Sequence, residues 1–346
     1  MMRALLLCLG LVLLTGLALP APQLALEPWP EADALFHQDP RWKGGDDAYS
    51  VDLGRGRVLW LFGDSFVGNG TRAQATMVRN SVAIQSGYDP SHATIQFSWA
   101  AGPSSFFAET PGYWYWPGDG TLLEDHTLLV FLMKIRAVPG GVFGFEACGW
   151  DAAAVSNPGD DPSRWKIHRL NCPPNPFGVV VGSGAVLCRD GYLYAFGSRQ
   201  TDAVLMRWPM ATAERGDLSQ PEQWTTSGWS SDPKKPPAAV LSDSQTEFSV
   251  HYQASLQRFV EIQTVGFGAA DVAMRTSAQL TGPWSGPEKL FHPPESDDKR
   301  LLIYAGKAHP EQQGADWVLT YVANSFKVEH LFEDDRIYFP RFLRSR

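Results

Sequence analysis

Apolar and polar residues alternate along most of the chain in short runs broken by Gly, Pro, Asn and Asp, the pattern of strands joined by tight turns. The clearest case is WKGGDDAYSVDLGRGRVLWLFGDSF, residues 42–66, where two apolar-rich runs flank Gly54-Arg55-Gly56. A hairpin turn centred on Arg55 opposes residues whose numbers sum to 110, so Asp46 faces Asp64, Ala48 faces Phe62 and Ser50 faces Trp60. Directly opposed side chains share one face of the ladder, with Cβ atoms about 5 Å apart. Two opposed carboxylates destabilise a strand pair, yet such a pair can share a proton or split into acid and base. A solvated strand end carrying two surface acids is the other reading of the same residues.

Four further hairpins follow the same plan. They span residues 113–136 around Glu124-Asp125-His126, 179–198 around Asp190-Gly191, 246–265 near Ser255 and 301–324 near Gln313. First strands beginning near residues 46, 116, 183, 247 and 304 recur at steps of 70, 67, 64 and 57 residues. Each hairpin is followed by more strand-like runs, among them ATIQFSW (93–99), DVAMRT (271–276) and IYFPRFL (337–343). This predicts an all-β fold, a five-bladed β-propeller with about four antiparallel strands per blade. A two-layer sandwich competes, but it would not show a recurrence of that length.

No composition break divides residues 42–346, which read as a single propeller domain. Residues 26–41 form a Pro-containing lead-in able to supply an outer strand. Residues 1–25 read as a secretory signal peptide, with Arg3 followed by an apolar run from Ala4 to about Leu19. That run is shorter than the roughly 20 residues a spanning helix needs, so cleavage is expected rather than an uncleaved anchor. A net charge of −8 without any Lys/Arg block argues against nucleic acid and anionic membrane surfaces as partners. Past the leader three cysteines remain, Cys148, Cys172 and Cys188, which leaves one unpaired in any disulfide scheme. Neither a C-x-x-C nor a paired-His spacing occurs, so neither a metal site nor a cofactor is expected; a structural cation in the channel stays open. The mature chain is expected to be a monomer without a membrane span.

In a propeller the hairpin turns share one rim, and first-strand starts meet second-strand ends on the other. That second rim gathers Asp46, Asp64, Trp114, Trp116, Lys134, Ser183, Glu247 and Asn324, with Arg79 and Asn80 approaching by a loop. Carboxylates, amides and flat aromatic faces in one place suit a polysaccharide or glycoconjugate. Trp114 and Trp116 fit a stacking platform or inter-blade packing, and Trp60, mid-strand, fits the core. Arg79 is placed to stabilise a charged Asp. His309 falls towards the turn rim and reads as channel-lining or structural. The Ser of GDSF lacks the G-x-S-x-G frame of a serine hydrolase.

GGDDAYSV, WLFGDSFVG, RNS, EFSVHY, LTGPWS, KAHPE and YFPRFL occur in this order across about residues 42–344. The chain thereby resembles secreted bacterial five-bladed propellers long catalogued as a domain of unknown function, some of them associated with endo-acting hydrolysis of D-arabinofuranose polymers. It is more distantly similar to arabinanase, fructosidase and sialidase propellers. The resemblance implies a secreted or periplasmic glycoside hydrolase acting on a furanoside polysaccharide, foremost arabinofuranan. It implies a first acid at Asp46 and a second at Asp64; Glu247 is the further catalytic candidate from the rim argument. Asp47 competes with Asp46, because the family pattern usually has a small residue there. On alternation Asp47 lies opposite Gly63, on the other face, and joins Arg79, Asn80, Trp114, Trp116 and Asn324 as a substrate-binding candidate. A non-catalytic carbohydrate-binding propeller and an envelope-associated scaffold are the alternatives, since this fold can keep binding and lose catalysis.

Overall fold

The Arg55-centred turn forms with Gly54, Arg55 and Gly56 all at positive φ, and the ladder beyond it pairs Ser50 with Trp60 and Tyr49 with Leu61. The computed structural model describes residues 24–140 and 144–346. The leader expectation therefore falls almost wholly outside the described residues. Of its last two positions, Leu24 packs against the core of the final sheet and the Ala25 carbonyl accepts a hydrogen bond from the Arg346 amide. No helix among the described residues is long and apolar enough to cross a membrane.

The protein is all-β. Its sheets follow the chain, each built outward by antiparallel neighbours. The first contains Tyr49–Gly54, Arg57–Phe62, Ser81–Ser86 and Thr94–Ser98, and the second Trp114–Leu122, Leu128–Ala137, Phe145–Val155 and Ile167–Arg169. The third begins with Val180–Arg189, Tyr192–Arg199 and Asp202–Pro209 and carries three further short strands. The fourth holds Ser249–Gln253, Arg258–Phe267, Ala269–Ser277 and Glu288–Phe291. The fifth is Leu301–Ala308, Val318–Ser325 and Pro340–Ser345, with Leu26–Pro28 of the lead-in as its outermost strand. First strands of successive sheets are neighbours. The first and fifth sheets meet where Ser50 Oγ lies 2.6 Å from His309 Nδ1.

The lead-in also contributes a short helix, Pro30–Asp33, and a 3₁₀ turn, Ala34–His37, which the strand pattern did not foreshadow. They seat Phe36 between sheets: its ring stacks on Phe342 of the fifth sheet (5.2 Å between centroids) and meets Trp60 of the first edge-on (5.0 Å). Trp29, Trp42, Phe62 and Phe97 complete this buried aromatic cluster.

Three innermost strands are not regular. Trp114–Leu122, Val180–Arg189 and Leu301–Ala308 each slip register mid-strand. Such bulges re-aim side chains. In the third sheet the slip needs Gly182, because at φ +76 any Cβ would strike the Phe131 ring of the sheet before it.

The first hairpin departs furthest from a continuous ladder. Asp47 and Ala48 have φ of 66° and 54°, and the Ala48 amide bonds back to the Asp46 carbonyl at 2.9 Å. This is a γ-turn of the rarer positive-φ kind, a strained conformation. Pairing resumes beyond it in a separate three-stranded sheet of Trp42–Gly45, Ser65–Val67 and Thr76–Val78, with Gly45 opposite Ser65. The expected facing of Asp46 and Asp64 thus survives in register while the ladder between them is broken.

Phe36→Ala is expected to cost about 3–5 kcal/mol, the range for emptying a buried aromatic site. Urea unfolding measures it; a loss below about 1 kcal/mol would mean that the lead-in does not hold the first and fifth sheets together.

Candidate functional site

Asp46 lies between the two halves of the first hairpin, and two phenols from the end of the chain reach it. Tyr304 Oη–H donates to Asp46 Oδ2 at 2.6 Å and Tyr338 Oη lies 3.2 Å from the same oxygen. Tyr338 Oη is also 2.9 Å from the Asp64 carbonyl, so one hydroxyl bridges the two acid-bearing segments. Arg72 holds that loop in place, donating to the carbonyls of Lys43 (2.7 Å) and Ile337 (3.0 Å). Asn324 donates to Tyr304 Oη at 2.9 Å, which makes it a support for the phenol.

Asp64 has a different set of partners. Trp116 Nε1–H donates to its Oδ1 at 2.9 Å and Arg79 Nη1 stands 3.3 Å from its Oδ2. The Arg79 guanidinium lies over the Trp114 ring at 4.5 Å, and Trp114 meets Trp116 edge-on at 6.4 Å. Arg79, Trp114 and Trp116 therefore form one partly exposed wall beside Asp64.

Glu247, just ahead of the fourth sheet's first strand, accepts from Lys307 Nζ at 3.0 Å, and the same ammonium donates to the Asp47 carbonyl at 2.6 Å. The Glu247 side chain is 17% exposed against 1% for Lys307, so the carboxylate is reachable and the ammonium beneath it is not. Gly63 has no room for a side chain: a Cβ there would lie 2.6 Å from Asp46 Oδ1 and 2.5 Å from Asp47 Oδ2. Asp47 is thus not across the ladder from Asp46. The γ-turn brings both carboxyl groups to the same glycine, and Asp47 is buried.

Crowding sets the protonation of these groups. Burial, then the charges of Asp64 and Glu247, push Asp46 up to about 8 despite its two phenol bonds. Burial raises Asp64 too, with Arg79 and Trp116 working against the rise. Tyr304 and Tyr338 are driven well above the ordinary phenol range, by burial first and then by Asp46, so both stay neutral donors. The cluster accordingly pairs a carboxyl that keeps its proton near neutral pH with a second one in which an N–H and a guanidinium oppose the upward push of burial. That is the equipment of acid–base chemistry.

Two expected members lie elsewhere. Asn80 is fully buried; its Nδ2 donates to the carbonyls of Phe107 and Tyr115 and its Oδ1 accepts from the Phe107 amide. All its polar capacity serves main chain, which corrects its assignment to substrate binding. Ser183 is likewise buried, bonded to Val180 O and Ser198. Lys134 is partly exposed but engaged with Asp151 at 3.2 Å. His309 is structural, flanked by Ser50 and Thr320, and burial pushes it down to about 3. Trp60 is in the core, and Cys148, Cys172 and Cys188 are free thiols. A cavity of about 320 Å³ opens at the hairpin-turn end of the innermost strands, lined by Asp119, His251, His309 and Glu311 among others, and reaches Tyr49 and Lys307 below the acid cluster. Among the described residues no group of three or more His, Cys, Asp or Glu side chains is arranged to hold a metal ion. Sequence reasoning missed Tyr304 and Tyr338 as partners of Asp46 and Lys307 as the partner of Glu247, although KAHPE and YFPRFL contain two of them.

The raised Asp46 gives a signed test. Its unfolded value is about 3.9, so the folded state binds the proton more tightly. The stability this contributes is fully present below about pH 4 and is lost as pH climbs through about 8. Asp46→Asn cannot ionise, so its urea midpoint should fall less between pH 5 and 9 than that of the wild type. Asp119 and Glu261, raised to about 7 and 8 by burial, ionise in both proteins and cancel in the difference. Parallel pH curves would mean that Asp46 is ionised throughout.

The fold has known counterparts. A candidate hydrolase from Bacteroides ovatus ATCC 8483 superposes with a TM-score of 0.74 at 20% identity, covering 92% of this chain and 89% of that one. The catalytic domain of the Coprinopsis cinerea GH62 α-L-arabinofuranosidase gives 0.51 at 11% identity, with 93% and 96% covered. The Podospora anserina α-L-arabinofuranosidase in complex with cellotriose gives 0.52 at 10% identity, with 94% and 96% covered. At these identities the likeness is one of fold, an all-β architecture shared with glycoside hydrolase propellers. No curated protein matches the chain in sequence. A family model described as "Domain of unknown function (DUF5005)" matches residues 31–346, and the chain belongs to that family.

Proposed function

We propose that the chain is an exported five-bladed propeller glycoside hydrolase that cleaves an arabinofuranosyl polysaccharide, with Asp46 as acid and Asp64 as nucleophile. The observation that carries this is the joint placement of the two acids. Tyr338 Oη touches both segments, Asp46 favours its proton, and Asp64 is held by Trp116 and Arg79. Register neighbours in a hairpin fit the close spacing of a retaining pair, about 5–5.5 Å, better than the wider gap that inversion needs.

In this scheme Asp64 attacks the anomeric carbon while Asp46 gives its proton to the leaving glycosidic oxygen. Water then enters, loses a proton to Asp46, and displaces Asp64 from the sugar. The wall of Trp114 and Trp116 beside Asp64 offers flat apolar surface to a sugar ring, and Glu247 adds negative charge that keeps the proton on Asp46. Support for the sugar class comes from the two arabinofuranosidases of like fold and from the sequence resemblance.

Release of reducing ends from arabinofuranan by wild type and Asp64→Asn tests the proposal. Asn keeps the shape and removes the nucleophile, so turnover should fall at least ~10²-fold. The wild-type rate should decline as Asp46 loses its proton near pH 8. Tyr304→Phe removes a donor that favours the charged form, so this alkaline limb should move to higher pH. Undiminished hydrolysis by Asp64→Asn would exclude Asp64, and a wild type that binds polysaccharide without forming ends would be a binding propeller.

A further inference from the structure

Asp47 is the one acid of the cluster that the scheme above leaves without work. It is 3% exposed, it sits at the centre of the γ-turn, and its Oδ2 is a buried oxygen with no hydrogen-bond donor among the described residues. A buried charged oxygen left in that state is costly. Lys307 is the one cation that favours a charged Asp47, and burial together with Glu247 and Asp46 outweighs it. Lys307 spends its ammonium on the Asp47 carbonyl and on Glu247 Oε2. The other titratable groups facing Asp47 are Asp46, Glu247 and the phenols Tyr49 and Tyr338, each of which disfavours another negative charge when ionised.

One placement of a proton resolves this. Bound to Oδ2, it turns an orphaned acceptor into a donor, and Glu247 is the acceptor beside it, since Lys307 Nζ bonds both the Asp47 carbonyl and Glu247 Oε2. Glu247 would then accept from Lys307 on one side and from Asp47 on the other, a fixed carboxylate at the edge of the site. We propose that Asp47 is a neutral hydrogen-bond donor that, with Lys307, clamps Glu247 in place: a positioning residue acting through Glu247. The inference rests on the hydrolase reading for its kinetic consequence, not for its structural one.

The γ-turn fixes which variants are informative. At φ 66° Asn is well tolerated and Gly carries no penalty, whereas Ala would add strain unrelated to the side chain. Asp47→Asn keeps a donor, an amide N–H, in place of the carboxyl O–H; Asp47→Gly removes it. Two readouts on the full chain separate the outcomes. In equilibrium unfolding between pH 6 and 9, Asp47→Asn should match or exceed wild-type stability, because a neutral donor replaces a neutral donor. Asp47→Gly should unfold at lower urea than either. In hydrolysis of arabinofuranan, Asp47→Gly should lower kcat roughly 10- to 100-fold with little change in KM, the range for a lost hydrogen bond to a charged group. Asp47→Asn should restore most of that loss. If Asp47→Asn is as unstable as Asp47→Gly, or as slow, Asp47 acts as a carboxylate and the clamp is wrong. If wild type shows no hydrolysis, the hydrolase reading fails and the unfolding comparison alone decides the clamp.

Discussion

Asp46, Asp47, Asp64 and Glu247 converge on ground where two cationic side chains, Arg79 and Lys307, make contact. Carboxylates so close, and so poorly hydrated, cannot all be charged, and a lone buried ion pair does not repay its desolvation without further hydrogen bonds. Much of the surrounding architecture answers that constraint. Neutral donors are brought in from a distance: Trp116 to Asp64, Tyr304 and Tyr338 to Asp46. Each stabilises negative charge without adding a positive one; at Asp46 burial and the charges of Asp64 and Glu247 outweigh this, and the proton stays.

The fold supplies those donors from several sheets. Asp46 and Asp64 come from the first hairpin, Trp116 from the second sheet, Glu247 from the approach to the fourth, and Tyr304 and Lys307 from the fifth. Lys307 reaches Asp47 and Glu247 because its strand slips register between Tyr304 and Lys307. The strained turn at Asp46–Ala48 has a counterpart in this arrangement, since a continuous ladder would send alternate side chains to opposite faces. With the turn in place, the carboxyl groups of Asp46 and Asp47 both pack on Gly63. Strain at a functional site persists only where its surroundings over-determine it; here the aromatic cluster of Phe36, Trp60 and Phe342 fixes the two sheets on either side.

What the sequence disclosed follows from the range of the interactions. The Arg55 turn, the register summing to 110 and the approach of Asp64 to Asp46 are local, and alternation with Gly at the turn encodes them. The recurrence of hairpins exposed the sheets for the same reason. The positive-φ residues Asp47 and Ala48 carried no such signal, because neither is glycine, and alternation therefore placed Asp47 on the wrong face. Asn80 looked like a rim residue by position, but burial gave its amide wholly to main chain. Tyr304 and Tyr338 meet Asp46 across 258 and 292 residues, a distance that no local pattern spans.

Fold likeness at 10–20% identity carries the architecture and stops there. Hydrolysis is supported instead by the placement of Asp46, pushed up to about 8 by burial, beside Asp64 with its Trp116 and Arg79 partners. The direct measurement is a titration of the aspartate carboxyl carbons by NMR, with the Asp46 signal assigned by its absence in Asp46→Asn. That signal should titrate near pH 8. A midpoint in the ordinary carboxylate range, about 4, would leave the site without its acid and rule out Asp46 in that role.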